Sequence, residues 1–393
     1  MVDPEPKEVE LKLAATAEAM DTLIASQLLR GHATSTIRSR NLVTTYYDTE
    51  DRRLGRRHLA LRVRQTGKKF IQTLKTASAV DSVETARGEW EVELPDNTPL
   101  LTAFNDAAVL DLAGLVLPDE LQPTFQTRFR RQAVLVEWPD ANRQPAQIEI
   151  AFDRGAIRAD GGEVPICEIE LELKRGEPRA LFELAQSMRS LVPLHLQPVD
   201  KAARGYALVT GTSPPWRKAG SVSLTEGASV EDALQQILGA CVRHWVDNEA
   251  SAREARDAEG LHQLRVALRR LRSALSLFKS ALNDQSRADW SSELRWLLGP
   301  LGPARDLDVL ATETLVEVRT ARPDDQALGV LAELVAGRRW KAHHTVRETL
   351  GSERYGDLAF GLACWVACRG WRQGADIDVL LAQRQPVREF AAI

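Results

Sequence analysis

Glutamate and lysine alternate with apolar residues along this chain so that ionic groups gather on single faces. In an extended strand, residues i, i+2 and i+4 share a side. Glu8, Glu10 and Lys12 therefore point one way, with Val9, Leu11 and Leu13 opposite. Glu168, Glu170, Glu172 and Lys174 repeat the arrangement, backed by Ile169, Leu171 and Leu173. Glu89, Glu91 and Glu93 form a third acidic row, and Glu149 and Asp153 share a face on a fourth segment. Basic rows interleave: Arg62 with Arg64, Thr73 with Lys75, and Arg128 with Arg130. A sheet with one wet face would carry the same residues and do nothing. If the sheet instead closes with its charge inside, the rows must neutralise each other, because lone buried charges are very costly. Carboxylate oxygens left over suit Mg²⁺ or Mn²⁺, and leftover Arg and Lys groups suit phosphate oxygens. Phosphoryl transfer needs both, with metals spreading the developing charge and a positioned water as nucleophile.

The elements that would carry these rows have period two. They are 8–13, 58–65, 69–76, 88–94, 128–138, 146–153 and 167–174, separated by turn residues such as Pro95-Asp96-Asn97 and Asp160-Gly161-Gly162. Thr16–Arg30 and Arg179–Leu191 read as helices. Without strict βαβ alternation, the expectation is α+β on an antiparallel sheet or barrel. Residues 211–223, GTSPPWRKAGSVS, read as a linker. Beyond it Leu264, Leu268, Leu271, Leu275 and Phe278 step by four and three, as one buried helix face requires. Further helices are expected at about 287–299, 325–350 and 355–373.

At ~150 residues per domain, 393 residues imply two or three domains. Fifty-one Lys and Arg against 55 Asp and Glu leave a net charge of −4, so no global field draws in nucleic acid or a membrane. Any polyanion site must be local. Four cysteines are too few for a disulfide framework, the N-terminus has no apolar leader, and the run Leu358–Cys368 is shorter than the ~20 residues of a membrane span. A cytoplasmic location is the expectation. Walker A, GxGxxG, HExxH and nucleophile-elbow patterns are missing, which argues against those routes to phosphate or ester chemistry.

Glu8-Val-Glu-Leu-Lys12 resembles the ExExK signature of the CYTH domain, the triphosphate tunnel metalloenzymes. The resemblance continues in order through Tyr47-Asp48-Thr49, Leu61-Arg-Val-Arg64, Thr73-Leu-Lys75, Arg87-Gly-Glu-Trp-Glu91, Asp153-Arg-Gly155, Glu170-Leu-Glu-Leu-Lys174 and Lys201-Ala-Ala-Arg-Gly-Tyr206. It implies an eight-stranded antiparallel β tunnel over residues 1–210, flanked by helices and binding a linear triphosphate. The eighth strand, near Thr44–Asp48, rests on the resemblance. By position, Glu8, Glu10, Glu170 and Glu172 would hold the divalent metal, with Glu168 and Asp153 as weaker ligands. Lys12, Arg62, Arg64, Lys75, Arg128 and Arg130 would grip phosphate, with Lys201 and Arg204 following the last strand. Glu8, Glu10, Lys12 and Lys75 would take part in catalysis, and no general base is assigned. The activity implied is hydrolysis of inorganic tripolyphosphate. A thiamine triphosphatase, a class IV adenylyl cyclase-like enzyme and a non-catalytic polyphosphate-binding adaptor stay open.

His262-x-x-Arg265-x-x-x-Arg269-x-x-Arg272 places four cationic or titratable groups on one stripe of a helix. With Arg243-His244-Trp245 before it and Ala304-Arg-Asp-Leu-Asp-Val309 after it, residues 224–393 resemble a shortened CHAD domain. That resemblance implies an all-α bundle whose basic stripe binds long-chain polyphosphate. Arg338-Arg339-Trp340-Lys341 with His343 and His344 form a second basic patch.

Overall fold

The computed structural model describes residues 7–76, 85–104, 116–139, 144–212, 216–254 and 258–390. The chain forms two compact units that meet in sequence at Pro214 and Pro215.

The first unit is a nine-stranded antiparallel sheet. Its strands are β1 (Lys7–Ala14), β2 (Arg38–Asp48), β3 (Ala60–Thr66), β4 (Lys69–Lys75), β5 (Thr85–Leu94), β6 (Gln122–Trp138), β7 (Ala146–Ala159), β8 (Gly162–Arg175) and β9 (His195–Leu196). They lie in the order β5-β4-β3-β2-β6-β7-β8-β1-β9. This corrects the expected eight-stranded tunnel. One edge of β1 pairs with β8 over Val9–Ala14, while its other edge is divided. Lys7–Glu10 meets Thr85–Gly88 of β5, and Leu13–Ala14 meets β9. The ends of the sheet thus touch over four register positions only. A short ninth strand takes the hydrogen-bonding edge that full closure would need.

The two faces of the sheet are chemically distinct. Leu11, Leu13, Ile148, Ile150, Phe152, Ile169 and Leu171 are buried on one face. Helix α4 (Arg179–Arg189) packs there on β1 and β8. α1 (Ala17–Ala25) and α2 (Gln27–His32) replace the single helix expected over Thr16–Arg30. Ser26 divides them: its extended backbone ends α1, and its hydroxyl accepts from Leu29 N at 3.2 Å to cap α2. Across β3–β5 the same face buries Leu61, Val63, Leu74 and Leu94 under Leu101, Phe104 and Val116. A short helix, α3 (Arg53–Arg56), adds Leu54.

The opposite face carries the ionic rows. One part of it is apolar: Leu42, Tyr46, Phe125, Phe129, Ile157 and Ile166 pack against Ala202, Tyr206 and Leu208 of α5 (Lys201–Thr210). Asp200 caps this helix by accepting from Ala203 N at 2.8 Å. Gly205 makes the close approach possible, because a Cβ there would lie 2.1 Å from Phe125 Cε2. Tyr206 donates its hydroxyl to buried Asp48 at 2.8 Å, and Asp48 also accepts from the backbone of Thr49, Leu54 and Gly55. Asp48 thereby fixes α5 to the end of β2.

The second unit is helical: α6 (Val230–Glu254), α7 (Ala258–Leu277), α8 (Asp284–Val309), α9 (Leu315–Ala321), α10 (Gln326–Leu350), α11 (Glu353–Ala367), α12 (Ile377–Arg384) and α13 (Val387–Phe390). Leu264, Leu268, Leu271, Leu275 and Phe278 are all buried, as their spacing requires, and so is Trp245 of α6. A π-helical turn, Leu310–Thr314, interrupts the path from α8 to α9. Among the described residues, no helix is long and apolar enough to cross a membrane.

Candidate functional site

Strand register stacks the ionic groups of the first unit into rows. Glu149, Glu172 and Glu10 stand opposite one another across β7, β8 and β1. The next row holds Ala151, Glu170 and Lys12, and the one after it Arg131, Asp153, Glu168 and Ala14. On the other wing, Arg62 faces Thr73, which in turn faces Glu91, while Lys75 faces Glu89. Thr44 faces Arg64.

Side-chain contacts join these rows. Glu170 takes Lys201 Nζ at 2.9 Å, Arg131 at its other oxygen, and Lys12 at 4.0 Å. Asp153 takes Arg131 at 2.6 Å and Lys201 at 2.8 Å. Glu168 binds both Lys201 and Arg204. Lys12 also reaches Glu10 at 2.6 Å. Across the sheet, Glu89 pairs with Arg62 at 3.2 Å and Lys75 at 2.6 Å. Burial alone would raise the pKa of Glu170, but Lys201, Arg131 and Lys12 hold it well below the usual carboxylate range. Burial pulls Lys201 down, and Asp153, Glu168 and Glu170 outweigh it, so its ammonium is held more firmly than a free lysine's.

Arg64 is the exception. Its Nε donates to Thr44 Oγ1 at 3.3 Å, and no carboxylate among the described residues lies within ion-pair distance of it. Burial, followed by the neighbouring charges of Arg62 and Arg131, lowers its pKa to about 10. A guanidinium that gives up that much is set where a negative charge is missing.

Asp153, Glu168 and Glu170 each offer a carboxylate oxygen within 4.8 Å of the others, so the triad can hold a divalent metal. Its donors are all oxygen, the set hard cations take. The triad already holds one cation, since the Lys201 ammonium contacts all three carboxylates.

The structure gathers Glu10, Lys12, Arg62, Arg64, Lys75, Asp153, Glu168, Glu170, Glu172, Lys201 and Arg204 on this face. Glu8 lies in β1 opposite Arg87, and its side chain falls outside the described ones. Arg128 and Arg130 do not join the group. They are exposed on the opposite face, where Arg128 donates to Gln126 and Arg130 to Ser39. Arg131 stands in the site instead. The strand itself carries the signal for this: Val134 and Val136, buried on the apolar face, share the parity of Arg128 and Arg130. In the second unit, His262 and Arg265 are half-buried on α7, and Arg269 and Arg272 are exposed. Burial and the charges of Arg269 and Arg305 lower the pKa of Arg265, with Asp306 opposing them.

Residues 6–206 match the family model of the CYTH domain, and residues 236–393 match that of the CHAD domain. The first match spans just over half of the chain, which therefore belongs to the CYTH family and carries a CHAD domain after it. An inorganic triphosphatase of Haemophilus influenzae is 35% identical over 210 residues, covering 51% of this chain and 55% of that protein. An uncharacterized protein of Mycobacterium tuberculosis is 26% identical over 350 residues, covering 84% of this chain and 64% of its own. The chain thus spans between about half and two thirds of these relatives. Among solved structures, the CHAD domain from the plant Ricinus communis aligns with a TM-score of 0.38 and 31% identity, covering 45% of this chain and 56% of that one. A putative adenylyl cyclase from Hippeastrum with a dominant triphosphatase activity aligns with a TM-score of 0.35 and 17% identity, covering 52% of this chain and 96% of that one.

Proposed function

We propose that the ionic face of the first unit hydrolyses inorganic tripolyphosphate to pyrophosphate and phosphate. The observation that carries this reading is Arg64, a cation set deep among cations with a hydroxyl as its hydrogen-bond partner. A linear triphosphate supplies the missing negative charge and accepts bidentate guanidinium contacts. The similarity to an inorganic triphosphatase supports the same substrate class.

In this reading Arg64, Arg62 and Arg131 bind the phosphate chain, with Lys12 and Lys75 turning towards it from their present carboxylates. Lys201 and Arg204 hold the acidic rows in place. Glu10, Glu170 and Glu172, with Glu8, Glu168 and Asp153, would hold Mg²⁺ or Mn²⁺, which when bound spreads phosphate charge and makes a coordinated water more acidic. Water attacks the terminal phosphorus, the bridging P–O bond breaks, and pyrophosphate leaves with the electron pair.

The direct test is phosphate release from tripolyphosphate by the full chain, run beside ATP and thiamine triphosphate. Tripolyphosphate should turn over fastest, release should stop with EDTA, and Mg²⁺ or Mn²⁺ should restore it. Equal release with EDTA, or preference for either organic triphosphate, refutes the reading.

A second reading applies to the other unit. Arg265, Arg269 and Arg272 have no ion-pair partner among the described residues, and at Arg265 burial together with Arg269 and Arg305 outweighs the opposing charge of Asp306. Long-chain polyphosphate is the counter-charge this stripe fits. Its affinity should fall steeply with salt, and Arg269→Gln should reduce the log–log salt slope by ~0.7, the value for one single-strand phosphate contact. A slope unchanged by that substitution removes the stripe from the binding surface.

A further inference from the structure

A cavity of about 740 Å³ opens in the second unit between α9 and α10, a size typical of small-molecule sites. Its walls are of two kinds. Leu315, Val316 and Pro323 are apolar, while Arg319, Arg339 and Arg347 bring cations. Arg319 and Arg347 have no carboxylate within ion-pair distance among the described residues, and Glu254 is the one acidic group in the lining. Trp340 also lines the cavity although 64% of it is exposed, and His344 stacks parallel to its indole at 5.5 Å.

Behind this wall lies a buried dyad. His343, 4% exposed, lines the cavity and shares Asp308 Oδ1 with Arg339: His343 Nε2 lies 2.7 Å away and Arg339 Nε 2.6 Å. Asp308 Oδ2 and His343 Nδ1 are buried without hydrogen-bond partners. Through Oδ1, Asp308 fixes Arg339 at the cavity wall from behind. Ala311 of the π-helical turn is also in the lining, and such turns recur at functional sites.

We infer that this cavity binds a nucleotide, with phosphates on Arg319, Arg339 and Arg347 and the base on Trp340. Inorganic polyphosphate has no apolar surface to set against the wall, and a nucleotide has one. The site is independent of the ionic face in the first unit.

Calorimetric titration of the full chain in EDTA, with ADP and with pyrophosphate, tests this. In the Arg64→Met chain, where the first unit's face is disabled, ADP should bind at least 10-fold more tightly than pyrophosphate. Trp340→Ala and Arg347→Gln should each weaken ADP at least 10-fold while tripolyphosphate hydrolysis and circular dichroism stay as in the parent chain. Arg64→Met, which disables the first unit's face, should leave ADP affinity unchanged. The inference fails if pyrophosphate binds the Arg64→Met chain as well as ADP does, if both cavity variants keep full ADP affinity, or if ADP binding disappears with Arg64→Met.

Discussion

Replacing Arg64 with methionine should make the ligand-free protein more stable and nearly inactive. The two effects have one cause. Arg64 sits among Arg62 and Arg131 with only the Thr44 hydroxyl as partner, so its charge is held at a cost that a methionine of similar length does not incur. In the native state its pKa is about 10, below the ordinary guanidinium value. Between those values the unfolded chain binds more protons than the native one, so this group makes stability rise with pH there. At neutral pH the cost is present in full. Arg64→Met should therefore raise Tm by about 2–4 °C, the shift ~1 kcal/mol produces in a unit of this size.

Tripolyphosphate reverses the order. It stabilises the parent chain by occupying the cationic gap, so Tm should climb with ligand concentration. Arg64→Met should lose most of that climb, and kcat/KM should fall by ~10²–10³, as when a charge-stabilising donor is removed. In the parent chain, affinity should also weaken above about pH 10 as Arg64 loses its proton. Differential scanning fluorimetry with and without ligand reads the stability effects. A variant that is less stable without ligand, or that keeps its ligand-induced shift, shows that Arg64 is a structural residue.

How much of this was legible in the sequence follows from what a strand pattern encodes. Alternation places Glu10 with Lys12, and Glu168 with Glu170 and Glu172, because period two is a local property. Pairing is not local. Nothing in β1 states that Lys12 stands opposite Glu170, or that β9 takes the edge at Leu13–Ala14. The tunnel expectation came from family resemblance, and the divided edge of β1 is where it departs from this chain. Arg131 was missed for a different reason. Three arginines within four residues offer either parity, and only Val134 and Val136 further along the strand fix which face is apolar. Lys201 was legible as a basic residue after the last strand. That it enters a carboxylate triad depends on α5 being laid down by Gly205 against Phe125 and by Tyr206 on Asp48. In the second unit the leucine stripe declared the core. The basic patch at Arg338–Lys341 gave no hint of the Asp308–His343 dyad, because its members lie 35 positions apart.

Glu170→Gln should be the most damaging single change on the ionic face. Glu170 is where Lys12, Arg131 and Lys201 meet, and an amide of the same shape keeps the volume while removing the charge. Breaking a buried ion pair by removing one partner costs ~3–5 kcal/mol, and the lower end applies because Asp153 and Glu168 remain. At ~2–4 °C per kcal/mol, Tm at neutral pH should fall by about 6–12 °C. Metal-dependent phosphate release should drop at least ~10²-fold, since a proposed metal ligand and the anchor of the cations go together. The pH profile separates this electrostatic role from a packing defect. Native Glu170 stays ionised well below its ordinary 4.5, so the unfolded chain binds the extra proton first as pH falls. Its stabilisation is complete above about pH 4.5 and lost below it. Lys201 works at the other end: its native pKa lies above the ordinary 10.5, so its contribution is complete below that value and is lost as pH rises past it. The parent chain should therefore lose Tm steeply below pH 4.5, and Glu170→Gln should start lower and fall less across the same window. Parallel profiles, offset by a constant amount, would mean that the glutamate contributes shape alone.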